Sequence, residues 1–369
     1  MSARQVFVVN CGSSSLKYAL VEPDACATRT SGIAETGDGH AAALGRALDE
    51  LGTGVELTAV AHRVVHGGAR FASAVRINDD VLAAIRELAA LAPLHNPVNA
   101  LGIEVARKAL ADVPHVAVFD TAFHQTLPPR AYTYAVPREW EAEHGVRRYG
   151  FHGTSHAFVS RAAAGLLDRA PEDVNVIVLH LGNGASATAV AGGRSVDTSM
   201  GLTPLEGLVM GTRSGDLDPA IIPHLGRAGM TVQDVDAALN KRSGMLALAG
   251  DGDLRTVERR DAGGDARAAL ALDVYCHRIR KYVGAYMAVL GRVDAIAFTG
   301  GVGENSDVVR ARSLDGLEPL GIRLDGARNA ERAKAARAVS ADDSPVAVLV
   351  VPTNEELEMA TEALEVVSG

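Results

Sequence analysis

Two segments of the chain have the composition of phosphate-binding turns. The first reads Asn-Cys-Gly-Ser-Ser-Ser-Leu-Lys from Asn10 to Lys17, and the second reads His-Leu-Gly-Asn-Gly-Ala-Ser from His180 to Ser186. Both follow an apolar run and lead into a short stretch that favours a strand over a helix. Small residues let backbone N–H groups approach an anion, and hydroxyl groups add donors. The pattern therefore predicts two strand–turn–strand units that hold a polyphosphate, and the P-loop sequence is absent.

Two arginines lie in surroundings that suit anion binding. Arg213 is at the centre of the polar, glycine-containing stretch 210–219, and Arg63 ends a predicted strand shortly before Gly67 and Gly68. A guanidinium held in such a place can bind carboxylate or phosphoryl oxygens through two parallel hydrogen bonds. Each arginine, taken alone, also fits an ordinary solvated position, so both interpretations stay open.

Asp120 and His152 are candidate active-site groups. Asp120 directly follows the apolar strand 116–119, at the end of a strand where α/β proteins bind ligands. It could serve as a base, a metal ligand, a partner that orients an arginine, or a helix cap. His152 and His156 have a spacing that zinc sites use, but Gly153 replaces the glutamate of that motif. We expect His152 to face a cleft between the halves of the chain, while His156 could be structural.

Asn10 and Glu355 each follow a predicted strand, one near each end of the sequence. Mg²⁺ prefers hard oxygen ligands and is held by one or two protein groups together with phosphates and water. The pair therefore fits a magnesium site, although Glu355 also fits the first turn of a helix. The glycine-rich stretch 301–305 lacks the third glycine of the dinucleotide fingerprint, but it suits a nucleotide contact between a strand and a helix.

These residues need a framework of alternating strands and helices to position them. Beyond the two strand pairs, we predict strands at 57–65, 116–119, 295–299 and 346–351. Helices are predicted at 79–91, 99–110, 155–167 and 266–290, with a terminal helix after Glu355 and one surface helix within 28–54. Strands and helices alternate in both halves, which indicates an α/β protein whose chain crosses between halves near Phe151.

Composition limits the class of protein. A chain of 369 residues favours two domains. Its net charge of −9 argues against a nucleic-acid surface, although local loops and a metal can still hold ATP. The three scattered cysteines favour reduced thiols and a cytoplasmic protein. No signal peptide is apparent, and no apolar run approaches the ~20 residues of a membrane span.

Taken together, the segments resemble the acetate kinase family, within the actin/Hsp70/sugar-kinase superfamily. The resemblance covers nearly the whole chain, and several long motifs occur in the family's order. They are residues 8–17, 94–97, 119–125, 148–156, 180–186, 210–219 and 352–357.

The resemblance implies a role for each matching residue. Asn10 and Glu355 correspond to the magnesium ligands. Arg63 corresponds to the arginine that binds the substrate carboxylate, Asp120 to the active-site acid, and His152 and Arg213 to stabilisers of the transition state. The apolar pocket for the substrate methyl group is matched by Val65, Leu94, Phe151 and Pro204. The ATP contacts are matched by Lys17, His180, Leu181, Gly182, Asn183, Gly184, Asp253, Leu254, Arg255, Gly301, Val302, Gly303, Glu304 and Asn305.

The same resemblance implies a duplicated ribonuclease-H-like fold with a nucleotide cleft between two domains. One domain is expected to contain residues 1–149 and 353–369, with the first phosphate turn and the carboxylate site. The other is expected to contain residues 150–352, with the second phosphate turn, the adenosine site and a homodimer interface. The implied reaction is Mg²⁺-dependent transfer from ATP to acetate, giving acetyl phosphate and ADP. Mn²⁺ is expected to replace Mg²⁺, and neither nucleic acid nor a membrane is expected as a partner.

Three alternatives remain at this point. A propionate or other short-chain acyl kinase differs only in a small apolar pocket, where one methylene contributes about 1–3 kcal/mol. A sugar or glycerol kinase would need a base for a neutral hydroxyl and would not need paired arginines. An actin-like or chaperone-like ATPase scaffold needs only the phosphate turns, so Asp120, Arg63 and Arg213 argue against it.

Overall fold

Two six-stranded sheets organise the protein. The computed structural model describes residues 4–52 and 55–369. The first sheet contains β1 (Gln5–Cys11), β2 (Ser15–Glu22), β3 (Ala27–Glu35), β4 (Leu57–Val64), β5 (Val75–Arg76) and β6 (His115–Phe119). The second contains β7 (Asn175–Leu181), β8 (Ala185–Ala191), β9 (Arg194–Thr198), β10 (Ala295–Thr299), β11 (Arg337–Ala338) and β12 (Ala347–Val350).

The two sheets have the same plan. The first has the order β3-β2-β1-β4-β6-β5, and the second has the order β9-β8-β7-β10-β12-β11. In each, three antiparallel strands are followed by two strands parallel to the first of them, with a short antiparallel strand at the far edge. This repetition confirms the prediction of a duplicated α/β fold, and it confirms both strand–turn–strand units.

Helices cover both sheets. Between residues 40 and 166 they are α1 (His40–Leu51), α2 (Asp79–Glu87), α3 (Asn96–Ala109), α4 (Pro129–Tyr132), α5 (Arg138–His144) and α6 (Gly153–Leu166). Between residues 221 and 368 they are α7 (Ile221–Arg227), α8 (Val232–Lys241), α9 (Gly244–Ala249), α10 (Leu254–Ala262), α11 (Ala266–Leu290), α12 (Gly300–Asn305), α13 (Asp307–Leu314), α14 (Gly326–Ala330) and α15 (Glu355–Ser368).

Packing on the two faces of each sheet explains the apolar strands. Every residue of β6 and β10 is buried, because helices lie on both sides of these parallel strands. The long helix α11 packs into the core of the second sheet. The terminal helix α15 returns to the first sheet, where Met359, Ala360 and Ala363 pack against β1, β2, β4 and β6. The last residues of the chain therefore complete the first half of the molecule.

The structure adds detail to two of the predicted segments. The one helix expected within 28–54 is α1, but the strand β3 precedes it, and Gly54 lies outside the described residues. β3 is an edge strand with one buried residue, Ala34, so its sequence has little apolar alternation and its pairing with β2 holds it in place. The glycine-rich stretch 301–305, expected between a strand and a helix, itself belongs to helix α12. No helix among residues 4–52 and 55–369 combines the length and apolarity needed to cross a bilayer.

Candidate active site

Arg63 and Asp120 form an ion pair with two hydrogen bonds, at the ends of two neighbouring strands. Arg63 lies on β4 and Asp120 follows β6, which pairs with β4 in parallel. Arg63 Nε and Nη2 donate to the two carboxylate oxygens of Asp120, each at 2.8 Å. The nearby Asp120 charge raises the pKa of Arg63 above its usual range. Thr121, and not Asp120, occupies the N-cap position of the following 3₁₀ turn, so Asp120 pairs with an arginine and does not cap a helix.

The two residues expected to bind magnesium lie in one small cleft. Asn10, Lys17, Arg63 and Glu355 line a space of about 240 Å³. Arg63 Nη2 lies 4.0 Å from Glu355 Oε2, and the Thr154 hydroxyl donates to the same carboxylate at 3.4 Å. Burial raises the pKa of Glu355, and the charge of Arg63 opposes this shift. Among the described residues only Thr154 donates a side-chain hydrogen bond to Glu355, so the carboxylate keeps free acceptor capacity in the cleft that Asn10 also lines.

His152 occupies a strained position at the start of α6. Its backbone is in the left-handed region, with φ 57°, which is unusual for a residue with a side chain. Its ring stacks on His180 with 4.3 Å between ring centres, and its Nδ1 lies 2.9 Å from Ser186 Oγ. Burial and the neighbouring histidines, His180 first, lower the pKa of His152. The ring is therefore neutral and held firmly against the second phosphate turn.

Arg213 lies beside the same turn without a carboxylate partner. Its Nη1 donates to the Pro204 carbonyl at 2.6 Å, and no ion pair involves it in the part of the chain that the structure describes. A Cβ added to Gly184 would lie 2.8 Å from Arg213 Nη2 and 3.5 Å from His152 Nε2. Both nitrogens therefore face the glycine of the turn. Burial lowers the pKa of Arg213, so an anion bound beside it would stabilise its charge.

A larger cleft of about 810 Å³ collects most of the residues expected to contact ATP. Of the sequence-predicted residues, those lining it are Gly182, Asn183, Asp253, Leu254, Arg255, Gly301, Val302 and Asn305. Its walls come from the β7–β8 turn, α10, α11 and α12. The volume and the mixed polar and apolar lining suit a nucleotide.

The remaining predicted contacts lie around this cleft and not on its wall. His180 and Leu181 are buried at the end of β7, Gly303 is buried in α12, and Lys17 faces the smaller cleft. Glu304 Oε1 accepts hydrogen bonds from the backbone N–H groups of Gly300 and Thr353. Glu304 thus holds the start of α12 against the segment that leads to Glu355.

Sequence reasoning missed several residues of the cleft. Gly211, Met245, Gly252, Glu258, Tyr275, Ser306 and Arg332 also line it. Tyr275 belongs to the long helix α11, where its position in an apolar repeat gives no sign that it borders a ligand site. Glu258 could have been inferred from the sequence, because it follows the predicted Asp253–Arg255 segment by one helical turn.

Of the four residues expected to surround the substrate methyl group, only some lie in the same apolar cluster. Phe151 is buried and Val65 packs against the same apolar cluster. Pro204 is half-buried and accepts the hydrogen bond from Arg213. Leu94 is 68% exposed on the loop before α3, and it belongs to none of the apolar clusters of the described residues. The pocket therefore stays a prediction, with Val65 and Phe151 as its best-supported members.

Comparison with known proteins identifies the family. Residues 36–361 match the model of the acetokinase family. The acetate kinase of Streptomyces avermitilis is 54% identical over 398 aligned positions, which cover the whole chain and 98% of that relative. The chain belongs to the acetokinase family.

Solved structures of the acetokinase family superpose closely on this member. The acetate kinase of Porphyromonas gingivalis has a TM-score of 0.92 at 40% identity, covering 99% of this chain and 100% of that one. A propionate kinase from Francisella tularensis has the same TM-score and identity, with coverage of 98% and 99%. Membership of the family makes the chain a nucleotide-dependent phosphotransferase, so ATP or ADP is its co-substrate.

Buried neutral histidines predict that this member of the acetokinase family loses stability in mild acid. Burial lowers the pKa of His62, His66, His124 and His156, to about 4 for His66 and His124. Because the unfolded chain then binds more protons than the folded one, stability is present above about pH 6.5 and is lost as the pH falls toward 4. Each such histidine adds a slope of about 1.4 kcal/mol per pH unit.

Urea unfolding at a series of pH values measures this slope. His62→Gln removes one buried histidine, whose Nε2 lies 2.9 Å from His115 Nδ1. It should reduce the slope of the free energy of unfolding against pH by the contribution of one histidine. His144→Gln, at the exposed end of α5, is the matched control and should leave the slope unchanged. A free energy of unfolding that does not change from about pH 7 to about pH 4.5 would contradict the prediction.

Proposed function

We propose that the protein is an acetate kinase, which reversibly transfers the γ-phosphoryl group of ATP to acetate. Support comes from the names of its full-length relatives and from one observation in the site. Arg213 is a cation without a carboxylate partner among the described residues, and it faces the phosphate turn that His152 also faces. Arg63 is already paired with Asp120, so Arg213 supplies the positive charge that remains unbalanced. An acceptor that is itself an anion fits this unbalanced charge.

The proposed transfer is direct. A carboxylate oxygen of acetate forms a bond to the γ-phosphorus while the bond to the bridging oxygen of ADP breaks, and that electron pair leaves with ADP. Acetate is already ionised at neutral pH, so no strong base is needed. The main barrier is bringing an anion to a polyanion, and fixed charges and in-line positioning lower it. Asp120 then serves by holding Arg63 in place, and no phosphorylated side chain is formed.

Magnesium binding is part of the proposal. The donor set fits the ion, because Glu355 retains free carboxylate acceptors and Asn10 contributes an amide oxygen in the same cleft. When bound, Mg²⁺ supplies positive charge to the phosphates of ATP, and Mn²⁺ is expected to replace it. Asn10 and Glu355 would hold the ion from the two ends of the chain.

The division into domains is also proposed. Residues 1–149 and 353–369 form one domain and residues 150–352 the other, which agrees with the membership of the two sheets and with the packing of α15. We propose that the cleft between them closes on the substrates. The three cysteines are all free, as expected for a cytoplasmic protein, and the cytoplasm is the location we propose.

We also propose a homodimer formed through the second domain, and this proposal predicts that substitutions at the interface disrupt the dimer. Helix α7 has no buried residue, yet it carries Ile221 and Ile222, which are 40% and 37% exposed. We propose that the partner subunit covers these two side chains. Replacing both isoleucines with glutamate should convert the dimer into a monomer, measured by light scattering after size-exclusion chromatography. Ile33→Glu, at an exposed position of β3, is the control, and a variant that stays dimeric would place the interface elsewhere.

Propionate kinase activity is the second candidate, because the structure of a propionate kinase superposes equally well. A difference of one methylene is worth only about 1–3 kcal/mol in an apolar pocket. We expect acetate to be preferred over propionate and butyrate in kcat/KM.

Trapping of the product with hydroxylamine tests both candidates. The protein is mixed with ATP, Mg²⁺ and each short carboxylic acid in turn, and the acyl hydroxamate is measured. Hydroxamate from acetate at the highest kcat/KM supports the proposal, and a preference for propionate favours the second candidate. ATP hydrolysis without any hydroxamate would favour a scaffold ATPase. Isolation of a phosphorylated glutamate or histidine on the reaction path would overturn direct transfer.

A further inference from the structure

Ser186 lies between two histidines of the site. Its hydroxyl oxygen is 2.9 Å from His152 Nδ1 and 2.7 Å from His156 Nε2. Ser186 and His156 are both 0% exposed. No other hydrogen bond of the Ser186 hydroxyl occurs within the described ranges 4–52 and 55–369. The three side chains therefore form an isolated chain of hydrogen bonds that ends at the turn faced by Arg213.

The single hydroxyl proton allows two complete arrangements of this chain. In the first, His156 Nε2–H donates to Ser186, and Ser186 donates to His152 Nδ1. In the second, Ser186 donates to His156 Nε2, and His152 donates from Nδ1. If both rings donated to Ser186, its own proton would have no acceptor. Charging His156 is also unfavourable, because burial lowers the pKa of its ring.

The other nitrogen of His156 distinguishes between these arrangements. His156 Nδ1 is buried and has no hydrogen-bond partner in the described part of the chain. The second arrangement would place a proton on this nitrogen, giving a buried N–H group with no acceptor. The first leaves only a bare lone pair there. Buried N–H groups without acceptors are the rarer case in proteins, so the first arrangement is favoured.

We propose that Ser186 and His156 are positioning residues that keep the proton of His152 on Nε2. This inference rests on the proposed function, because Nε2 lies beside Arg213 at the phosphate turn. A protonated Nε2 donates to an anionic phosphoryl oxygen, whereas a bare Nε2 would present a lone pair to it. The hydrogen-bond chain thus lets a neutral histidine act as a donor at this turn. Its role is to orient a preformed donor and not to transfer a proton.

Nuclear magnetic resonance of protein labelled with ¹⁵N-histidine tests the proton position directly. The ¹⁵N shifts of a ring distinguish a protonated nitrogen from a bare one, and the His152 signals are assigned by their loss in His152→Gln. We expect Nε2 protonated and Nδ1 bare in the wild-type protein, and a redistribution of the proton in Ser186→Ala. A proton on Nδ1 of His152 in the wild-type protein would overturn the proposal.

Kinetics supply the second measurement. Ser186→Ala should lower kcat by about 10–100-fold, the usual effect of losing a group that orients a functional histidine. Its KM for ATP should stay within about two-fold, because the nucleotide cleft does not change. Ser186→Thr keeps the hydroxyl and should retain more activity than Ser186→Ala. His156→Gln keeps an N–H donor and should retain more activity than His156→Met.

Controls separate this proposal from folding defects and from the proposed function. Ser160→Ala removes a buried hydroxyl on α6 that bonds only to the Ala157 carbonyl, and it should leave kcat unchanged. An unchanged kcat in folded Ser186→Ala would overturn the positioning role. If Ser186→Ala does not fold, the wild-type spectrum decides alone. If the wild-type protein forms no acyl phosphate, the proposed function fails while the spectrum still reports the position of the proton.

Discussion

Arg213→Lys is expected to lower kcat by about 10²–10³-fold, the loss typical of removing one preorganised donor. Arg213 uses Nη1 to hold the Pro204 carbonyl at 2.6 Å, while Nη2 faces the phosphate turn. A lysine has one compact ammonium group, so it cannot hold the carbonyl and also present a planar pair of N–H groups to the ligand. The substitution keeps the charge and removes the geometry.

Steady-state kinetics with acetate and ATP measure this effect. A fall in kcat with a small change in KM indicates an interaction made mainly in the transition state. Arg130→Lys, at an exposed position of α4, is the matched control and should behave like the wild-type protein. Wild-type turnover in Arg213→Lys would refute the role of the guanidinium.

Asp120→Asn is expected to lower kcat by about 10²-fold, since a small displacement of a positioned group can cost that much. The amide of asparagine has one acceptor where the carboxylate has two, and its NH₂ group would face a donor of Arg63. The Arg63–Asp120 pair has side-chain exposures of only 23% and 3%. Breaking a buried pair leaves an unpaired charge and typically costs about 3–5 kcal/mol of stability. Binding of ATP should change less than turnover.

A double-mutant cycle with Arg63→Gln shows whether the two residues act as a unit. We expect the two substitutions together to cost less than the sum of their separate effects on kcat. Asp79→Asn is the control, because the Asp79–Arg107 pair is exposed and such pairs contribute little. Unchanged kcat in Asp120→Asn would mean that Asp120 has only a structural role.

Local patterns were sufficient for the elements with strong apolar periodicity. The strand 295–299 and the helix 266–290 have the bounds that the sequence predicts. Such elements are buried on one or both faces, so the spacing of their apolar residues indicates which positions pack in the core. The edge strand β3 and the exposed helix α7 were missed because few of their residues are buried and tertiary contacts hold them in place.

In the candidate active site, too, the sequence predicts local features better than contacts between distant residues. Strand ends and glycine turns predicted where Asn10, Arg63, Asp120 and His180 would lie, because the end of a strand is a local feature. The hydrogen-bonding partner of a side chain is not a local feature, since Arg63 and Asp120 lie 57 positions apart in the sequence. The roles of His156 and Tyr275 depend on neighbours far along the chain, and no spacing in the sequence predicts them.

The position of α15 has a consequence for how the protein is made. This helix completes the core of the first sheet, although its residues follow the strands of both sheets in the sequence. The strands of the second sheet are contiguous in the chain and are finished before residue 355 is added. During synthesis the core of the first half therefore stays incomplete until the strands of the second half have also been made. A nascent chain that stops before α15 would expose the apolar face of the first sheet that Met359, Ala360 and Ala363 cover.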